Sequence, residues 1–265
     1  MPQEESDPRV LLEPNFYHDQ EEVLWSFCAK HGCEWNTTRP AWIPGAAPDA
    51  AMNLAYPLLV YGLVQKHLGK PLVFPSDLAS WENLQIFSSA MMNGYLAEWA
   101  VLTDDAKNES LNATDDSPFS WGKFWPKYAA HLGIPWEGPD VSPDAKFHEI
   151  STPYSPPPRG FGPRGKLRFK FSFVEWARQH ETIAAWKDIS RNAGCKVTEL
   201  GDADAIHRIF GVLDAAMTVT WNTTYSNTKL RKLGWFGFVD ATETLFSVFD
   251  EFVDMNMAPK IKGNS

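Results

Sequence analysis

Apolar residues recur along the chain in blocks at helical spacing, separated by Gly and Pro. In the first block Val23, Leu24, Phe27 and Cys28 fall at i, i+1, i+4 and i+5, one stripe of a helix. Lys30 and His31 suit its carbonyl end, and Gly32 stops it. Glu34–Thr38 then reads as a short strand, ended by Arg39-Pro40 because proline cannot donate to a ladder. Asp49 predicts the N-cap of a helix over Ala50–Leu68. Met52, Tyr56, Leu59, Leu63 and Val64 form its stripe, Pro57 kinks it and Gly69 ends it. Leu72–Phe74 is a strand candidate, Trp81–Phe87 is ambiguous, and Ala90–Leu102 reads as a buried helix.

Further on, Leu111–Ala113 is a short strand, and Ser120 caps a helix through His131 that Gly133 stops. From Pro135 to Gly165 the chain is dense in Pro and Gly, with Pro156-Pro157-Pro158 inside it, so it is a connector or a lid. Lys166–Ser172 alternates like a half-buried strand, whose basic face is either a phosphate patch or a solvated surface. Ser172 to Glu175 and Asp240 to Glu243 are capping boxes. They open helices over Phe173–Ala193 and along the stripe Leu245, Phe246, Phe249, Phe252 and Val253. Asp202–Asp214 is a further helix. Residues 1–14 read as a mobile lead-in. No internal repeat and no interdomain linker is visible.

Composition narrows the function. With 44% apolar and 14% aromatic residues, 265 residues bury a substantial core, and 12 Trp with 17 Phe also suit an apolar pocket. A formal charge of −9 argues against nucleic acid, which needs clustered Lys and Arg. Cys28, Cys33 and Cys195 match no metal spacing and read as reduced thiols, and the His residues show no ligand pattern, so no metal is expected. The acidic start, Met1 to Asp7, is unlike a signal peptide, and no apolar run is long enough to span a bilayer. A cytoplasmic protein is expected. Tyr17, at the start of the first helix, is either packing or a phenol placed to donate a proton.

Asn15-Phe16-Tyr17-x-x-x-Glu21-Glu22, followed by a helix, a strand and Arg39-Pro40, resembles the progesterone 5β-reductase/iridoid synthase family. Those are atypical short-chain dehydrogenases that reduce enone C=C bonds with NADPH. Met52-Asn53-Leu54, Lys66-His67-x-Gly69-Lys70-Pro71, Ala106-Lys107-Asn108-Glu109, Phe119-x-Trp121-x-x-Phe124-Trp125 and Lys232-Leu233-Gly234 follow in the family's order. The resemblance covers nearly the whole chain and is closest in the first half. It implies that Tyr17 is the catalytic tyrosine, that Arg39, Pro40 and Ile43 border the cofactor, and that Trp42, Met52 and Phe210 line a pocket for a small hydrophobic substrate. Trp42 departs from the family's frequent Asn.

The resemblance also predicts what is missing. No Gly-x-x-Gly-x-x-Gly follows a strand, the family's catalytic lysine would lie upstream, and position 21 of Tyr-x-x-x-Lys is Glu. The expected fold is therefore α/β, an incomplete Rossmann-like, extended short-chain dehydrogenase fold without its N-terminal nucleotide-binding half. Residues 1–48 would be the remnant of that core and 49–265 the mainly helical substrate-binding part. Three readings stand: an NADPH-dependent reductase of secondary metabolism with its nucleotide half shortened or missing; a cofactor-independent isomerase or cyclase; and a non-catalytic binding protein. An apolar face left open over Val23, Leu24, Phe27 and Cys28 predicts a homodimer or a partner chain.

Overall fold

A computed structural model describes residues 2–12, 14–49, 52–153 and 164–261. The first helix is α1 (Phe16–His31), capped by the Asn15 side chain on the Tyr17 amide and closed by Gly32 at φ 65°. It leads into β1 (Asn36–Pro40), which pairs in parallel with β4 (Glu109–Ala113). Between them lie α2 (Ala55–His67), β2 (Leu72–Val73), α3 (Leu78–Glu82), β3 (Gln85–Ile86) and α4 (Ala90–Leu102). After β4 come β5 (Pro118–Phe119), α5 (Trp121–Leu132), β6 (Trp136–Glu137), β7 (His148–Ser151) and β8 (Lys166–Phe169). The remainder is helical: α6 (Phe173–Ala177), α7 (His180–Asn192), α8 (Ala203–Thr218), α9 (Thr228–Leu233) and α10 (Ala241–Asp254). The class is α/β, as expected. Its sheets among the described residues are two-stranded, with β2 on β6 parallel and β3 on β5 and β7 on β8 antiparallel.

The core is built around α2, which is buried on every side from Ala55 to Gln65 and packs against α5, α7, α8 and α10. An apolar sequence all round, not a stripe, suits a central helix. Its neighbours carry the stripes: Trp121, Phe124, Trp125 and Tyr128 of α5 and Leu245, Phe249 and Phe252 of α10 are buried against it. Each such side chain contributes roughly 1.5–3 kcal/mol by leaving water. Tyr128 donates to the Leu58 carbonyl at 2.6 Å, an approach that Gly62 permits by having no side chain in the way.

Several expectations change. The α2 helix starts at Ala55, not Ala50, because Asn53 accepts from the Ala55 and Tyr56 amides, while Asp49 pairs with Arg208 of α8. Pro57 then falls in the first turn, where its missing N–H has no partner to lose, so no kink is needed. Pro40 lies inside β1, at the end of the pair. The helix expected over Phe173–Ala193 is broken into α6 and α7 at Arg178–Gln179. α4 has the expected limits but is buried on one face only: Met92, Leu96 and Ala100 are covered, while Met91, Tyr95, Val101 and Leu102 are exposed. Trp81–Phe87 resolves into the end of α3 followed by β3.

The lead-in is tied down. Gln3 exchanges backbone bonds with Thr224 and Ser226, the Glu5 carboxylate accepts from the Asn112 amide, and Arg9 reaches Glu21 and Glu22. The connector from Pro135 contains β6 and β7, and its Pro156–Pro158 run lies outside the described residues. The basic strand is a salt-bridged surface: Lys166 and Arg168 both bind Glu149, and Lys170 binds Asp140. The Ser172 hydroxyl accepts from the Glu175 amide as a cap should, but the Glu175 carboxylate turns to Arg178. Asp214 of α8 takes the Phe173 and Val174 amides instead.

Candidate functional site

In open α/β sheets ligands gather beyond the carboxyl ends of parallel strands. Here that end is marked by Pro40 of β1 beside Ala113 of β4. The turn that follows β1 is held by three bonds to the segment entering α4. The Ala41 amide donates to Ser88 Oγ at 2.8 Å, the Ser88 amide to the Trp42 carbonyl at 2.9 Å, and the Ala90 amide to the Pro44 carbonyl at 2.9 Å. Ser88 Oγ in turn donates to the Ala113 carbonyl, so one hydroxyl bridges both strand ends. The Asn53 side chain donates to the Gly45 carbonyl at 3.0 Å and ties the start of α2 to the same turn.

Tyr17 belongs to this end of the pair. Arg39, the residue before Pro40, binds Glu21 Oε1 at 2.9 Å, and Glu21 lies one turn along α1 from Tyr17 on the same face. That bond sets the first turns of α1 beside the carboxyl end of β1. The Tyr17 ring is 59% exposed and leans on Phe16, with ring centres 4.2 Å apart. Glu21 also accepts from Arg9 at 2.9 Å, and its side chain is only 11% exposed. Burial pushes its carboxyl up, but the bonds from Arg39 and Arg9 outweigh this and hold it below its ordinary value. Arg39 is further occupied by the Glu5 carbonyl and the Ser110 hydroxyl. Position 21 is thus the acceptor of two guanidiniums where a short-chain dehydrogenase carries its lysine.

The remaining residues singled out from sequence are spread over different surroundings. Ile43 is half exposed on the turn, and Trp42 is half-buried against the main core. Met52, next to Asn53, is 76% exposed. Phe210 is fully buried in α8, edge-on to Trp176. Hydrogen bonds thus gather Arg39, Pro40 and the turn bearing Trp42 and Ile43 at one end of the strand pair, with Tyr17 linked to it through Glu21 and Met52 through its neighbour Asn53, whereas Phe210 belongs to the packed interior.

Sequence reasoning missed Ser88, Glu21 and Asp115. The pair Asp115-Asp116 reads as a turn, and Asp116 does adopt φ 58°. Asp115, however, is fully buried and accepts the Ser89 amide at 2.7 Å on one oxygen, at the first turn of α4. Its other oxygen has no partner. Burial pushes this carboxyl above its ordinary value, and the Ser89 bonds only partly offset that.

The described residues do not fit a dinucleotide pyrophosphate. That group needs backbone approach at glycines and the N-terminus of a helix. Gly160-x-Gly162-x-x-Gly165 has the spacing, but Gly165 runs directly into β8, a strand, which supplies no helix terminus. The cations that follow it are already bound by Glu149 and Asp140. Two open concavities are lined by other residues. One of about 440 Å³ is lined by Asp19, Gln20, Val23, Leu24 and Phe27. The other, of about 620 Å³, lies between the start of α3 and the β7–β8 hairpin. Among the described residues no cluster could hold a metal ion, and no helix is long and apolar enough to cross a membrane.

The model of the PRISE-like Rossmann-fold domain matches residues 1–145, more than half of the 265. The chain belongs to the PRISE-like family. The PRISE match spans α1, the β1–β4 pair and the turn that joins them to the core. Over 98% of its length the chain is 28% identical to a short chain dehydrogenase of Penicillium aethiopicum, covering 64% of that protein. It is 28% identical over 95% of its length to an (S)-8-oxocitronellyl enol synthase of Catharanthus roseus, covering 56% of it. A 3-oxo-Delta(4,5)-steroid 5-beta-reductase of Arabidopsis thaliana is 26% identical over 96% of the chain, which covers 57% of that enzyme. The chain thus spans 56–64% of the length of these PRISE relatives.

Proposed function

We propose that this chain forms the substrate side of an oxidoreductase of secondary metabolism that reduces a small hydrophobic enone, with Tyr17 donating a hydrogen bond to the carbonyl oxygen. The observation that carries this reading is the Arg39–Glu21 bond, which sets the first turns of α1 at the carboxyl end of the strand pair. A neutral phenol aimed at an oxygen that gains negative charge acts as one arm of an oxyanion hole. The turn bearing Trp42 and Ile43, bordered by Arg39 and Pro40, supplies the apolar wall, and Met52 stands at its rim. NADPH remains the reductant by family, and its pyrophosphate seat has to come from residues other than these. An apolar face of α1, with Val23 71% and Phe27 56% exposed, fits a second copy or a partner covering it.

The misfit for the pyrophosphate favours a second reading, a cofactor-independent isomerase or cyclase using the same phenol. Incubating the chain with a small enone, with and without NADPH, separates the two by product. Reduction only with NADPH supports the first reading; rearrangement without it supports the second; an unchanged substrate with measurable binding leaves a binding protein. In either enzyme Tyr17→Phe is expected to keep the melting temperature and ligand affinity and to lower turnover roughly a hundredfold, the cost of one oxyanion donor. Unchanged turnover would remove Tyr17 from the mechanism.

A further inference from the structure

α1 ends in a turn that brings two thiols together. Gly32 takes the left-handed conformation, and the Cys33 amide donates to the Cys28 carbonyl at 3.2 Å. This is the six-to-one bond of a Schellman cap, in which the side chains on either side of the glycine meet. In most proteins that contact is hydrophobic; here both side chains are cysteines. The Cys28 thiol points back over this turn at the carbonyl of Glu34, the residue next to Cys33, 3.8 Å away. A disulfide needs Cα atoms roughly 4.4–6.8 Å apart, and the backbone bond between the same two residues keeps them close. Cys33 is exposed and Cys28 is buried, the one buried residue of α1.

We propose that Cys28 and Cys33 form a reversible disulfide across the end of α1, made by exchange with a low-molecular-weight disulfide such as oxidised glutathione. The exposed Cys33 thiolate attacks one glutathione sulfur, and one glutathione thiolate leaves. The Cys28 thiolate then attacks the Cys33 sulfur and expels the second glutathione. Two protein thiols are oxidised, one glutathione disulfide is reduced to two thiols, and the two protons pass to them. Burial, and then the neighbouring sulfur, push the Cys28 thiol up, which suits Cys28 as the resolving group and not the first attacker. The closed ring staples the turn between α1 and β1, and with it the angle at which the Tyr17 helix leaves the strand.

Trypsin makes the test direct, because Lys30 separates the two cysteines. The folded chain is equilibrated with oxidised glutathione, alkylated and digested. The Val10–Lys30 peptide and the peptide that starts at His31 are expected to run as one linked species, lighter by the two thiol hydrogens, that separates on reduction. Cys195, buried elsewhere, should stay alkylatable after unfolding and reports on scrambling. In Cys28→Ser, Cys33 should instead accumulate as the glutathione adduct. A wild-type protein that stops at that adduct, links Cys33 between chains, or gives no adduct in Cys28→Ser would overturn the proposal.

Discussion

Replacing Glu21 with glutamine removes one charge from the centre of a three-residue contact. Arg39 lies 2.9 Å from one carboxylate oxygen, and Arg9 the same distance from the other while also reaching Glu22 and covering the Trp25 ring. A charge-assisted bond contributes about 1.5–3 kcal/mol when well buried. Arg39 is 38% exposed, so solvent screening reduces its arm to about 1 kcal/mol. Arg9 keeps Glu22 as a partner when Glu21 is lost, so its arm adds little. Glu21→Gln should therefore lower stability to urea by about 1 kcal/mol at pH 7. The folded-state carboxyl is held below its ordinary value, so its contribution exists above 4.5 and disappears as pH falls through the lowered value. The gap between the wild type and Glu21→Gln should close on acidification. Glu21→Lys restores the Tyr-x-x-x-Lys spacing, yet it sets a third cation against two guanidiniums and should cost more than the glutamine. Equal urea midpoints for all three proteins at pH 7, or a gap that persists in acid, would refute the assignment of Glu21 as the anchor of α1.

Two further substitutions probe the supports of the site. Gly62→Ala should destabilise by about 1–3 kcal/mol in a thermal melt, because its Cβ meets Tyr128 and lies 2.6 Å from Leu132 Cδ1; overpacking of this kind exceeds the helix-propensity gain of alanine. Asp115→Asn tests the buried carboxyl from the opposite side: a raised folded-state value means that stability is lost as pH rises through it. The asparagine protein should thus gain on the wild type as pH rises above the ordinary value of 3.8, and urea midpoints that move in parallel would refute it.

The helix ends were legible because caps are local. Gly32, Gly133 and Asp240 all act where the chain pattern places them. Where two capping residues compete, pattern fails: Asp49 and Asn53 are both good caps, and the choice depends on Arg208, 159 residues away, which claims Asp49. The break between α6 and α7 carries no Gly or Pro and could not be read from sequence. The limits of α4 followed from its apolar run, but its burial depends on what packs over it, and Met91 and Tyr95 face solvent. At the site, Tyr17 came from a motif. Its environment did not, because the partners of Glu21 lie 12 and 18 residues away, on opposite sides of it in the chain.

The parallel pairing of β1 with β4 also sets an order of events during synthesis. Thr37 and Ser110, bonded through their hydroxyls, are separated by 73 residues. At ~5–20 residues per second a ribosome takes about 4–15 s to deliver that distance. For that time β1 has emerged while the strand it pairs with in the folded chain has not, and an unpaired strand is a template for wrong partners. A charged Arg39 followed by a proline that cannot donate to a ladder is the sort of ending that discourages such pairing while the chain waits.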